Sequence, residues 1–273
     1  MPQPLAGVEP SPATGEAAWL VDSLHPFGQG DTGSVVPSGF EAYARIEHDP
    51  GPPDRDPHEG GLDVAAVRAL ADHLVPATAT PDDCWFCLWV GYGSVAGRAA
   101  GRPDEPGVAA WVRWRWYQAR RPADTWYVVG SRSGWRAWVH KWLALWRLRR
   151  RGRRWSRRIR AVTRRCGIVT TPEREYLLFR GPVVAAASAA VPAPWPLWGG
   201  STLDLDDGAL DGPNLWWPAD RAWVVASEID LTWTYLGGSR AIVDAVVGDR
   251  RFTARRVELS EPIAGGAAGP RLE

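Results

Sequence analysis

Lysine is almost absent from this chain. Arginine supplies 31 of its 32 basic residues, and Lys141 is the only lysine. No glycine-rich loop precedes Lys141, so a Walker-type phosphate cradle is excluded. Cysteine is nearly as scarce, at three in 273 residues. That is too few for a disulfide framework and fits thiols kept reduced in the cytoplasm. Nowhere do 18 apolar residues run together, and residues 1–10 have neither a basic start nor an apolar core. The sequence therefore predicts no transmembrane segment and no secretory signal. Arg, Ala, Gly, Pro and Trp are plentiful instead, the mark of GC-rich coding, and a 45% hydrophobic content suffices for a buried core.

Acidic residues are missing from one stretch only. Residues 110–165 hold 18 Lys and Arg against the single acid Asp124, a charge of +17, while the remainder has 14 basic against 30 acidic residues, −16. Such a block marks a tail, an insert or a contact surface rather than core. Within it Trp138, Trp142, Leu145, Leu148, Trp155, Ile159 and Val162 recur at nearly helical spacing. This predicts a long amphipathic helix that Ser133 can cap and Gly152 can bend. Its other faces carry Arg147, Arg149, Arg150, Arg151, Arg153, Arg154, Arg157 and Arg158. Arginine opposite tryptophan suits a nucleic-acid backbone, an anionic membrane surface or an acidic protein groove. It also suits an insert whose Trp stripe packs on an acidic parent domain.

Around this block the pattern is that of an α+β protein. Strands are expected near residues 40–46, 84–92, 175–180 and 255–259, and along 213–239 as one long strand or a hairpin turning near Asp230. Leu62, Ala66, Leu70 and Leu74 predict a helix stopped by Pro76, and Ser239 begins another that ends at Gly248. The expected fold is a mixed, largely antiparallel sheet with a few packed helices and the inserted basic helix. Residues 17–95 and 167–263 form its one domain, 96–166 the insertion, and 1–16 and 264–273 are disordered ends.

Four motifs, Gly39-Phe-Glu-Ala-Tyr-Ala-Arg-Ile46 with His48, Thr80-Pro-Asp-Asp-Cys-Trp-Phe-Cys-Leu-Trp-Val-Gly-Tyr-Gly93, Tyr176-Leu-Leu-Phe-Arg-Gly-Pro182 and the stretch 213–239, together resemble a family of actinobacterial proteins with no established activity. The resemblance spans residues 17–94 and 167–263, and it implies an architecture without a mechanism. The family reads closer to Ile-Leu-His-Pro where this chain has Ile46-Glu-His-Asp-Pro50.

The motifs that could carry chemistry each have a plainer reading. Gly28-Gln-Gly-Asp-Thr-Gly33 matches a dinucleotide fingerprint, but Pro37 and Gly39 forbid the helix that must follow, so it reads as a flexible loop. Cys84-Trp-Phe-Cys87 has redox spacing, yet in a strand the two residues face opposite ways, about 10 Å apart. A zinc site uniting them with Cys166 and His140 lacks the usual spacing, and no metal or cofactor is expected. Ser239 sits in a small-x-Ser-x-small sequence, but every histidine precedes it, and a helix cap explains it. Glu228 and Asp230 read as the solvated side of a strand, with Thr232 and Thr234. They are equally the right types, about 6.8 Å apart, to share acid–base work or a cation, with His48 as a third member. Two functions stand: a non-catalytic interaction or regulatory protein whose basic insertion meets an acidic partner or polyanion, and an enzyme built on Glu228 and Asp230, metal-assisted or not.

Overall fold

Nine strands form one sheet in the computed structural model, which describes residues 7–49, 59–90, 161–162, 164–172, 174–188, 191–192 and 210–263. They are β1 (Glu9–Pro10), β2 (Ala42–Glu47), β3 (Cys84–Trp89), β4 (Ile168–Thr170), β5 (Glu175–Gly181), β6 (Leu215–Pro218), β7 (Trp223–Ser227), β8 (Trp233–Gly238) and β9 (Ala254–Val257). Their spatial order is β1-β5-β3-β6-β7-β8-β2-β9, with β4 sharing the outer edge of β5 with β1. Every pairing in this sheet is antiparallel. The mixed sheet expected from the sequence is thus corrected, because short connections such as those between β6, β7 and β8 can only reverse the chain. With helices α1 (Ala18–Ser23), α2 (Val64–Leu74) and α3 (Arg240–Val247) the architecture is α+β.

The chain divides into two compact units. The first is Met1–Trp89, Cys166–Val191 and Leu210–Glu273; the second is Val90–Arg165 and Pro192–Ala209. The sheet belongs to the first. The basic helix expected in 96–166, with its contact residues from Trp138 to Arg158, lies outside the described residues, as do residues 264–273. Residues 7–16, read as disordered from composition, belong to the fold: Glu9 and Pro10 pair with Arg180 and Phe179, and Thr14–Ala17 forms a helical turn. The free edge of β5 supplies the partners, and proline is tolerated there because an edge strand can spare an N–H.

Both faces of the sheet are buried. One carries Tyr43, Trp85, Cys87, Leu178, Trp217 and Tyr235, covered by Ala17, Leu20, Val35 and Val36 of the N-terminal segment. The other carries Ile46, Phe86, Phe179, Trp223 and Leu236, all at most 1% exposed, against α2 and α3. Burial on both sides explains why the strands read as continuous apolar runs. The Trp223 indole N–H donates to the Leu74 carbonyl at 3.1 Å, tying β7 to the end of α2. Both longer helices start on a side-chain cap. Asp63 accepts from Ala66 N at 2.8 Å and Ser239 from Ile242 N at 3.4 Å, a contribution of about 1 kcal/mol for a well-formed cap. Cys84 and Cys87 alternate along β3 as free, buried thiols, and burial pushes both pKa values up. Neither is poised to react.

The stretch 223–236 is a hairpin. Ser227 pairs with Thr234 and Val225 with Leu236, so residues 228–232 form the connection. Six residues separate the paired Ser227 and Thr234, and an even number shifts the parity: Thr234 joins Trp223, Val225 and Ser227 on the helix side, while Trp233 and Tyr235 go to the other. The single-strand grouping, which put Thr234 with the acids on a wet side, is overturned by this turn.

Candidate functional site

The β7–β8 connection brings polar groups into the interior at one end of the sheet. Glu228 is not on a solvated strand face; it is 7% exposed, because the turn folds its side chain inward. Its Oε1 accepts from the Ile229 N–H at 2.9 Å and from Arg174 at 2.9 Å through Nη2 and 3.3 Å through Nε. Arg174 stands in the turn between β4 and β5. The same Nη2 reaches Asp230 Oδ2 at 3.2 Å, although the Asp230 side chain is 74% exposed. The two acids are therefore unequal: one is a buried counter-ion, the other an exposed partner of little energetic weight. Burial works against the Arg174 charge, but the bond and charge of Glu228, with Asp230 behind it, outweigh this and hold its pKa above the ordinary value. Its guanidinium also lies 5.6 Å from the centre of the Trp89 ring, within cation–π range.

The N-terminal segment brings a second pair to the same place. His25 Nδ1 lies 2.9 Å and 3.1 Å from the two carboxylate oxygens of Asp31. Asp31 caps the turn Thr32–Ser34, accepting from the Ser34 N–H at 3.0 Å. The Ser34 hydroxyl lies within reach of both Asp31 Oδ1 and the Pro26 carbonyl, at 3.0 and 3.1 Å. Burial disfavours the Asp31 charge, yet the bonds from His25 and Ser34 prevail and set its pKa below the ordinary value. Because the folded pKa is the lower one, this carboxylate's contribution to stability is complete above its unfolded pKa of about 4 and fades as pH falls through the folded value. An ionised Asp31 can only accept, so Nδ1 carries a proton and donates it to the carboxylate. Among the described residues Nε2 has no hydrogen-bond partner.

Gly33 makes this possible. A Cβ there would lie 2.4 Å from His25 Nδ1 and 2.6 Å from Cε1. Within the motif Gly28–Gly33 the first three residues are exposed, whereas Thr32 and Gly33, with Ser34 after them, are buried, and Gly33 serves the close approach of an imidazole. Between the two pairs is a cavity of about 20 Å³ lined by His25, Ser34, Thr171, Arg174, Tyr176 and Glu228, with Leu24, Val35, Pro172 and Ser227 completing it. Polar walls and this volume fit one water molecule.

His48 lies at the end of β2, 4% exposed, on the helix side of the hairpin. Its Nε2 is 2.9 Å from Thr234 Oγ1, which is 2.7 Å from Ser227 Oγ. It does not meet the acids with which the sequence reading grouped it. Ser239 is exposed at the N-cap of α3, away from these groups. Among the described residues no three His, Cys, Asp or Glu side chains cluster as a metal site, and no helix is long and apolar enough to cross a membrane.

Sequence reasoning missed His25, Asp31 and Arg174. Asp31-Thr-Gly-Ser34 did carry the signature of a capped turn, an Asp followed three residues on by its N–H donor. Arg174 had no signal, since only the sheet order sets the β4–β5 turn beside residue 228. Comparisons with protein-family models, with curated proteins and with solved structures return no match for this chain.

Proposed function

We propose that the chain is an enzyme of the water-using, acid–base type, with His25 as general base at the sheet-end cavity. The observation that supports this best is the His25–Asp31 pair, which orients an imidazole that lines a polar, water-sized space. Asp31 fixes the tautomer and stabilises the imidazolium formed when a water proton is taken. Arg174, held by Glu228, supplies positive charge for an oxyanion developing on the attacked centre. Hydrolysis of an ester, amide or phosphoester fits these roles. A panel of 4-nitrophenyl esters and 4-nitrophenyl phosphate tests it. At least one is expected to turn over above buffer, and His25→Gln to lower the rate about 10²–10⁴-fold, the usual contribution of a general base. No turnover across the panel, or a folded His25→Gln protein as fast as wild type, removes the reading.

A second reading rests on the charge segregation in the sequence. A segment of +17 with interleaved tryptophan suits contact with a polyanion or an acidic partner, independently of catalysis. Binding of labelled duplex DNA and of phosphatidylserine vesicles is expected at low salt and should fall steeply, log-linearly, as salt rises. Absence of binding to both at low salt, or binding that salt leaves unchanged, counts against it.

A further inference from the structure

His25 lies in no helix or strand, yet its ring is set against Asp31 and Gly33, and its own N–H donates to the Gly33 carbonyl at 2.9 Å. Whatever fixes residues 30–33 therefore fixes His25, and the structure supplies it from the far end of the sequence. Past β9 the residues Glu258–Glu261 form a turn, closed by the Glu261 N–H on the Glu258 carbonyl at 3.0 Å. This turn presents two carbonyls to the loop. Leu259 accepts from the Gly33 N–H and Glu261 from the Thr32 N–H, both at 2.9 Å, and the Ile263 N–H donates to the Gly30 carbonyl at 2.9 Å. Asp31 and Pro262 face each other as an antiparallel bridge. Proline has no N–H to claim the Asp31 carbonyl, which accepts instead from the Ser34 N–H at 3.0 Å.

Residues 258–263 are thus a strap across the loop, and the strap is itself anchored. Leu259 and Ile263 pack against the core cluster, and Arg255 of β9 bonds to both carboxylate oxygens of Glu261. Thr32 fastens the loop to it. This residue is 1% exposed, and its hydroxyl donates to the same Glu261 carbonyl as its N–H, at 3.2 Å. Among the described residues it is the one side chain that bonds between loop and strap. We propose that the strap 258–263 positions the general base, and that Thr32 is the positioning residue through which it does so. The strap sets residues 31 and 33, and these set the His25 ring. This rests on the acid–base reading of the cleft and adds a control from outside it, since neither Thr32 nor any strap residue lines the cavity.

The test separates the strap from the reading beneath it. Thr32→Val keeps the shape and orphans no polar atom, because the Glu261 carbonyl retains the Thr32 N–H. On a panel substrate that the wild type hydrolyses, it is expected to lower kcat at least fivefold with KM unchanged, about what one hydrogen bond is worth. Thr32→Ser keeps the hydroxyl and should stay within about twofold of wild type. A packing role alone would order the two variants the other way, since serine loses the methyl that valine keeps. A Thr32→Val kcat equal to wild type, or a Thr32→Ser kcat no higher than that of Thr32→Val, overturns the positioning role while His25 chemistry stands. If no substrate turns over, the acid–base reading falls, and proton NMR of the His25 Nδ1 proton decides the strap alone. Its exchange with solvent is expected to be at least fivefold faster in Thr32→Val than in wild type or Thr32→Ser. Equal exchange in the three proteins overturns the proposal.

Discussion

Arg174→Met is expected to lower the thermal unfolding midpoint by roughly 5–10 °C, at 2–4 °C per kcal/mol for a protein of this size. Removing one partner of a fully buried ion pair costs about 3–5 kcal/mol, because the other charge is left desolvated and unpaired. Glu228 is 8% exposed at its side chain but Arg174 is 24% exposed, so solvent screens part of the loss, and about 2–3 kcal/mol is the fitting estimate. Asp230→Asn removes only the exposed arm of the same arginine and should stay within about 0.5 kcal/mol of wild type. The contrast is the test. A strand with two solvated acids would show small, equal effects for all three residues, whereas a buried counter-ion makes Arg174 and Glu228 costly and Asp230 cheap. Arg174→Met/Glu228→Leu should recover much of the loss, since removing both charges abolishes the desolvation penalty. A midpoint for Arg174→Met no lower than that of Asp230→Asn would sink the buried pair.

Gly33→Ala is expected to damage both stability and hydrolysis. The added methyl meets the His25 ring at 2.4–2.8 Å through three of its atoms, closer than real Cβ contacts come. The ring must turn away, giving up Asp31, or the Thr32–Ser34 turn must shift; overpacking of this kind costs about 1–3 kcal/mol. Backbone strain adds nothing, because Gly33 is not among the glycines with positive φ. Gly28→Ala is the internal control, five residues earlier in the same motif, with nothing within 4 Å of its added Cβ. It should melt within about 0.5 kcal/mol of wild type and keep its rate. The rate of Gly33→Ala should fall as far as that of His25→Gln, provided the variant is assayed below its midpoint. Equal behaviour of the two alanine variants would show that His25 is not held where its Asp31 bond requires.

The helices and most strands were legible because their signals are local. Asp63, Pro76, Ser239 and Gly248 bound α2 and α3 by capping and by blocking continuation, and β3 and β5 announce themselves as apolar runs between turn residues. The cysteine spacing was readable for the same reason: alternation along one strand separates Cys84 from Cys87 whatever surrounds it. The hairpin at 228–232 was half legible. Turn residues allowed it, but a one-strand reading of 223–236 assigned faces by parity, and the six residues between the paired Ser227 and Thr234 reverse that parity for everything after them.

Composition and periodicity by themselves determined that this is an α+β chain with a strongly basic interruption, and where its caps and core strands fall, because each of these depends on residues within a turn or two of one another. Only the tertiary structure decided the site. Residues 25 and 31 come from the N-terminal segment, 174 from the turn before β5 and 228 from the end of β7, and the order β5-β3-β6-β7 brings the start of β5 and the end of β7 to the same end of the sheet, with β3 and β6 between. Whether Glu228 faced water or an arginine followed from that order, since a carboxylate is stable in the interior only where the fold delivers a partner cation, and nothing near residue 228 in the chain could reveal that residue 174 would be the one.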